Sequence, residues 1–159
     1  MKTIYFGLGS NLGNRLQNLR DAVEKLKAFG KIERRSDVFA SSAWGGVPQP
    51  DYLNACVAVH PDKILEIVKN FERELGRVPS VRWGARKIDI DILIIDDWIY
   101  QVPEVKIPHV SMPQRLFVLV PLEQIAPLYW THPETGKNLR EMIYDIKGSQ
   151  PFPIKITKL

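Results

Sequence analysis

The chain has 159 residues, 45% of them hydrophobic and 25% charged, with a formal net charge of +4. That length suits one domain spanning 1–159 with a sizeable core, and no stretch approaches the length of a membrane helix. The mild positive charge suits an anionic ligand and is too small to demand nucleic acid, while the lone Cys56 excludes an intramolecular disulfide and a cysteine-rich zinc site and fits a reducing cytoplasm.

Met1-Lys2-Thr3 leads directly into a short apolar run, unlike a signal peptide. Thr3 to Leu8 reads as a first strand, and Gly9 to Asn14 as a turn. Arg15 to Phe29 carries Leu16, Leu19, Val23 and Leu26 at helical spacing, with Gly30 as the stop signal. Lys31 to Trp44 reads as one long strand, Gly45 to Asp51 as a Gly/Pro loop and Tyr52 to His60 as a third strand with Cys56 as core filler. A second helix is expected from Pro61-Asp62 to Leu75, then a loop over Arg77–Ala85 and a fourth strand over Lys87–Asp96. This β-α-β-β-α-β order predicts an α+β fold, a ferredoxin-like sandwich with a mainly antiparallel sheet and helices on both faces. The remainder reads as a hairpin around Trp98–Ile107, helices at Pro113–Ile125 and Leu139–Ile146, and an irregular tail; His132 is placed at the surface.

The run Ile88-Asp89-Ile90-Asp91-Ile92-Leu93-Ile94-Ile95 is the most informative segment. Side chains alternate faces along a strand, so both carboxylates point the same way, roughly 6.5 Å apart along the chain. One reading is a half-exposed strand with a solvated face. The other is a pair of like charges beside apolar surface, compensated by one or two divalent cations. Asp is depleted in strands, and the alternation is lost over Ile92–Ile95, which suggests burial on both faces in the middle of a sheet. Just upstream stands Arg82-Trp83-Gly84-Ala85-Arg86-Lys87. Carboxylates for metal beside guanidiniums for phosphate form the layout of a Mg-nucleotide enzyme.

The segment Arg82 to Leu93 resembles the signature of the 6-hydroxymethyl-7,8-dihydropterin pyrophosphokinase family, a group of folate-synthesis enzymes. Leu8-Gly9-Ser10-Asn11-Leu12-Gly13, Gln49 to Ala55, Glu72 followed by Leu75-Gly76-Arg77, and Ile107-Pro108-His109 with Arg115 and Phe117 agree with it in order. The resemblance implies transfer of a pyrophosphoryl group from ATP to the pterin hydroxymethyl oxygen, with release of AMP. It implies two Mg2+ ions on Asp89 and Asp91, and ATP contacts from Arg77, Arg82, Trp83, Arg86, Ile92, His109 and Arg115. Among these, Arg77 and Arg86 would act with the aspartates in catalysis. Tyr52, Asn54, Trp83, Asp89 and Phe117 would line the pterin pocket, and Glu72 would support the site. Asn54 could meet the ring with both a donor and an acceptor. The implied partners are small molecules, with no nucleic acid or membrane, for a cytoplasmic monomer.

Gly9 to Gly13 has two readings: a phosphate cradle between strand and helix, or a tight turn with Asn14 capping the helix. The Ser42–Pro50 loop is shorter than in the best-studied family members, so Trp44, Gly45, Gly46 and Val47 receive no individual contacts. Pro79 and Val81 stand where a further basic residue could be, and Val110 follows His109 where some members have an aromatic. Two other functions fit the residues. A nucleotidyl transferase could use Asp-x-Asp for attack at the α-phosphate, releasing pyrophosphate. A non-catalytic RNA-binding module of the same fold could use Trp83 and Tyr52 as stacking platforms, although unmetallated aspartates would repel its phosphates.

Overall fold

A computed structural model of the chain describes residues 2–44, 48–75, 87–103 and 105–159, with the backbone alone over 71–75. The strands are β1 (Ile4–Ser10), β2 (Gly30–Arg35), β3 (Asp37–Ser41), β4 (Tyr52–Pro61), β5 (Asp89–Ile95), β6 (Tyr100–Gln101), β7 (Lys106–Ile107) and β8 (Ile154–Lys158). The helices are α1 (Arg15–Leu26), α2 (Ile64–Leu75), α3 (Leu116–Glu123) and α4 (Leu139–Ile146). One sheet runs β5-β1-β4-β3-β8, with β2 also paired to β4, and its pairings are antiparallel. With β2 and β3 taken as one broken strand, β5-β1-β4-β3 is the strand order of a ferredoxin-like sandwich.

Period-two alternation sorts the sheet into two apolar layers. Ile4, Phe6 and Leu8 of β1, with Leu53, Ala55, Val57 and Val59 of β4, pack on one face against Leu19, Val23 and Leu26 of α1 and Ile67 and Val68 of α2. Tyr5, Cys56 and Ala58 pack on the other face against Leu119 and Leu122 of α3 and Leu139 and Met142 of α4. Both caps follow from sequence. Asn14 Oδ1 accepts from the Gln17 amide to start α1, and Asn138 and Glu141 form a reciprocal capping box on α4.

Several sequence expectations are corrected. The segment expected to be one strand over Lys31–Trp44 is two, because Ser36 is buried at the break and exchanges hydrogen bonds with Cys56: its amide donates to the Cys56 carbonyl and its Oγ accepts from the Cys56 amide. β5 is buried on both faces, but it forms an edge of the main sheet and not the middle. The following chain closes that edge, His109 donating its amide to the Leu93 carbonyl at 2.8 Å. A bulge in the β1–β5 pairing passes over Leu93, which places Leu93 and Ile94 in the same layer and Ile92 and Ile95 in the other. The tail is not irregular. Ile154-Lys155-Ile156-Thr157-Lys158 adds β8 to β3, a strand whose isoleucines stay exposed and so lacks a burial signature. His132 is buried, not superficial; its ring meets Trp130 edge-on at 6.0 Å, and its Nδ1 accepts from the Glu134 amide. No described helix is long and apolar enough to cross a membrane.

Candidate active site

The face carrying α3 and α4 is left open at the end of the sheet where β1, β4 and β5 run past the helices. A cavity of about 510 Å3 lies there, lined by Gly7, Gly9, Tyr52, Asn54, Asp89, Asp91, His109, Arg115 and Phe117 among others. Its floor follows from strand register. Gly9 of β1 pairs with Asn54 of β4 on one side and Asp89 of β5 on the other, and Gly7 likewise pairs with Cys56 and Asp91. Asn54 and Asp89 therefore face each other over a glycine, across two strand spacings of about 4.8 Å each. A Cβ on Gly9 would stand 3.4 Å from Asn54 Oδ1 and 3.5 Å from the Tyr52 ring. Gly9 leaves the floor bare between a carboxylate side and a carboxamide side, whereas the Leu93 side chain covers Gly7.

The walls carry charge and aromatic surface. Arg115 follows a 3₁₀ turn at Met112–Gln114, and its guanidinium lies 5.8 Å from the Phe117 ring centroid. Burial lowers the Arg115 pKa, while Asp91 and then Asp89 raise it, which places the cation in the field of both carboxylates. His109 is held below the ordinary imidazole range by burial, partly opposed by Asp91 and reinforced by Arg115. Its Nδ1 accepts from the Ser111 amide at 3.2 Å, so the neutral ring carries its proton on Nε2. Trp44 packs on Phe117 with centroids 6.2 Å apart and planes tilted by 56°.

The donor set suits a hard cation. Asp89 and Asp91 offer carboxylate oxygens from one face of β5, and no group of three or more His, Cys, Asp or Glu assembles among the described residues. A pair of carboxylates without a protein cage fits Mg2+, which keeps waters and takes substrate phosphate oxygens as its other ligands.

Of the residues singled out from sequence, Tyr52, Asn54, Asp89, Asp91, His109, Arg115 and Phe117 share this cavity. Ile92 does not line it; its side chain belongs to the core layer on the opposite face, leaving only its backbone for a ligand. Arg77, Arg82, Trp83 and Arg86 lie outside the described residues, as does the Glu72 side chain. Of the expected turn, Gly9 and Ser10 instead continue β1, where Gly9 serves the cavity floor; the chain turns over the residues that follow, and Asn14 caps α1. Ser41, Trp44 and Gln49 also line the cavity and were not singled out. The aromatic Trp44 beside Gly45-Gly46 was the available signal.

A family model described as 7,8-dihydro-6-hydroxymethylpterin-pyrophosphokinase matches residues 5–127. The chain belongs to this pyrophosphokinase family. It is 40% identical over 145 residues to the 2-amino-4-hydroxy-6-hydroxymethyldihydropteridine pyrophosphokinase of Aquifex aeolicus, covering 89% of this chain and 90% of that one. It is 36% identical over 154 residues to the enzyme of the same name from Synechocystis, covering 93% and 78%. Among solved structures, the Plasmodium falciparum HPPK-DHPS protein crystallised with pteroate superposes with a TM-score of 0.67 at 15% identity, a likeness of fold. That match covers 92% of this chain and 43% of the Plasmodium chain, so this chain spans under half the length of that protein. The matched span of the family, 5–127, takes in β1 to α3 and hence every described residue of the cavity.

Proposed function

We propose that this chain transfers the pyrophosphoryl group of ATP to the hydroxymethyl oxygen of 6-hydroxymethyl-7,8-dihydropterin, a step of folate synthesis. Membership of the pyrophosphokinase family supports the reaction class. The observation that carries the reading to this molecule is the row Asp89–Gly9–Asn54: a carboxylate side and a carboxamide side, separated by a glycine floor, in one cavity.

In this reading the flat pterin lies near Gly9, with Tyr52 and Phe117 against its faces and Asn54 at its polar edge. Asp89 and Asp91 would hold two Mg2+ ions. When bound, the ions neutralise the polyphosphate and orient it for in-line displacement. Arg115 and the Nε2–H of His109 donate to phosphate oxygens from the opposite wall. Arg77, Arg82 and Arg86 would add guanidinium forks, Trp83 a second stacking plane and Glu72 support, on the strength of their positions in the family pattern. The hydroxymethyl oxygen bonds to the β-phosphorus, the bond from that phosphorus to the α,β-bridging oxygen breaks, that oxygen departs on AMP and the hydroxyl proton is released. No covalent enzyme intermediate is needed; positioning and fixed charge lower the barrier.

Incubation with ATP, Mg2+ and the hydroxymethyl dihydropterin, with products identified by mass, tests the proposal. Pterin diphosphate and AMP in equal amounts are expected. Pyrophosphate with an adenylylated pterin would instead assign the nucleotidyl transferase reading, and no turnover with this pair would overturn both.

A further inference from the structure

We propose that a second cavity, between the Ile107–Pro108 segment and His132, is a ligand site that takes a small carboxylate carried on an apolar body. The cavity has a volume of about 300 Å3, at the lower end of the range for small-molecule sites, and is lined by Ile99, Ile107, Pro108, Pro113, His132 and Glu134 among others. It is distinct from the candidate active site. His109, Ser111 and Arg115 line the first cavity, Pro108, Pro113 and Gln114 line the second, and Val110 borders both. Nothing in the transfer reaction needs the second cavity.

His132 is only 4% exposed, yet it lines this cavity. Its Nδ1 accepts from the Glu134 amide at 3.3 Å, so the neutral ring carries its proton on Nε2. Burial keeps the ring below the ordinary imidazole range, opposed by Glu134 and reinforced by Lys106, which favours that neutral form near neutral pH. Among the described residues the Nε2–H meets no hydrogen-bond acceptor, and it is open to the cavity. A donor without an acceptor at so buried a position is costly, and a ligand oxygen removes that cost.

A cation stands close by. Lys106 also lines the cavity and pairs with Glu134 Oε1 at 2.6 Å, which leaves ammonium protons to spare. Glu134 is the only acid lining the cavity among the described residues, and it opposes an anion there. Its side chain is 59% exposed, however, so it can leave Lys106 for solvent at little cost. One carboxylate oxygen of the ligand then takes the His132 Nε2–H and the other meets the Lys106 ammonium. Its apolar body lies against Ile107, Pro108 and Pro113. That apolar lining disfavours a bare hydrated anion such as phosphate.

The probe is benzoate, with benzamide as an uncharged counterpart of the same shape. Each is titrated into the isotope-labelled unaltered protein, Lys106→Met and His132→Asn, and followed by NMR. His132→Asn keeps an acceptor for the Glu134 amide and removes the Nε2 donor. Benzoate should move the Gln114 and Thr135 amides and the His132 ring signals together and saturably, with a Kd of about 1 mM, and benzamide should bind more weakly. Lys106→Met should weaken benzoate about tenfold and leave benzamide nearly unchanged, while His132→Asn should weaken both about fivefold or more. No saturable movement up to roughly 30 mM benzoate overturns the proposal, as does movement centred on Gly9 and Asn54 instead. Benzamide binding as tightly as benzoate, or an unchanged benzoate Kd in Lys106→Met or in folded His132→Asn, overturns it too. If His132→Asn does not fold, Lys106→Met and the benzamide comparison decide.

Discussion

Among the described residues, Asp89 and Asp91 share one cavity with a single guanidinium, that of Arg115, whose pKa both raise. Replacing either aspartate with alanine should therefore relieve repulsion in the metal-free protein while removing an oxygen donor from the reaction. Asp89→Ala and Asp91→Ala are each expected to keep a native melting temperature or raise it, and to lose at least about 100-fold in turnover, or ~2.7 kcal/mol in barrier. Turnover within about tenfold of the unaltered enzyme would dismiss the metal assignment. Gly9 offers a finer test of the floor. Gly9→Ala adds a methyl group 3.4 Å from Asn54 Oδ1 and 3.5 Å from Tyr52, contacts ordinary in the free protein but in the path of a bound ring. The KM for the pterin should rise about tenfold with the KM for ATP nearly unchanged; an equal rise in both would place the ring elsewhere. At this scale the aspartate pair was legible because period-two alternation needs no tertiary knowledge. His132 was not legible, since one polar residue buried by an edge-on contact with Trp130 leaves no periodic trace.

The turn between β1 and α1 shows how elements are held around the cavity. Asn18, on α1, donates from Nδ2 to Ser10 Oγ at 3.0 Å and to the carbonyls of Leu12 and Lys87 at 2.9 Å each. Ser10 Oγ also donates to the Lys87 carbonyl, two residues before Asp89. Asn11 Nδ2 donates to Gln49 Oε1 and the Pro50 carbonyl, and Arg15 Nη1 to the Asp51 carbonyl, just before Tyr52. One turn thus ties down the start of the strand bearing the carboxylates and the start of the strand bearing Tyr52 and Asn54. Both Ser10 and Asn18 are buried, so losing a donor there leaves carbonyls without compensation from water. Asn18→Ala should cost about 1–3 kcal/mol in stability, read from urea unfolding midpoints at constant m. A midpoint shift of under a few tenths molar would show that the clamp contributes nothing. Element types were largely readable from hydrophobic period and a cap, as in α1, which Asn14 caps. The break at Ser36 and the strand β8 were not, because one depends on a buried serine exchanging hydrogen bonds with a neighbouring strand and the other on an exposed edge pairing.

Across the whole molecule, the two apolar layers are complete only because β1 and β4 alternate faithfully. The βαββαβ order was therefore readable, whereas the coverage of the second face by α3 and α4 depends on packing that no local pattern encodes. Tyr5 marks that second layer. It is buried at the centre of the sheet, and its hydroxyl accepts from Arg34 Nη2 at 3.4 Å. Burial pushes its pKa from 10.0 up to about 12, against the opposing influence of Arg34. Below pH 10 the phenol is neutral in folded and unfolded chains alike and adds no pH dependence. Between 10 and about 12 the unfolded chain gives up the proton while the folded one keeps it, so the unfolded state binds fewer protons and stability falls as pH rises. The hydroxyl ends beside exposed Arg34, where solvent screens it, so the loss should be about 1 kcal/mol, less than the shift would give in a dry interior. Other groups titrate in that range, so the measurement is a comparison. Urea unfolding of the unaltered protein and Tyr5→Phe is followed from pH 8 to 11.5. The difference in stability between them should be constant up to about pH 10 and then move in favour of Tyr5→Phe. Parallel curves across the whole range would show that the Tyr5 hydroxyl ionises as readily in the folded chain as in water, and that the second layer does not exclude solvent from it.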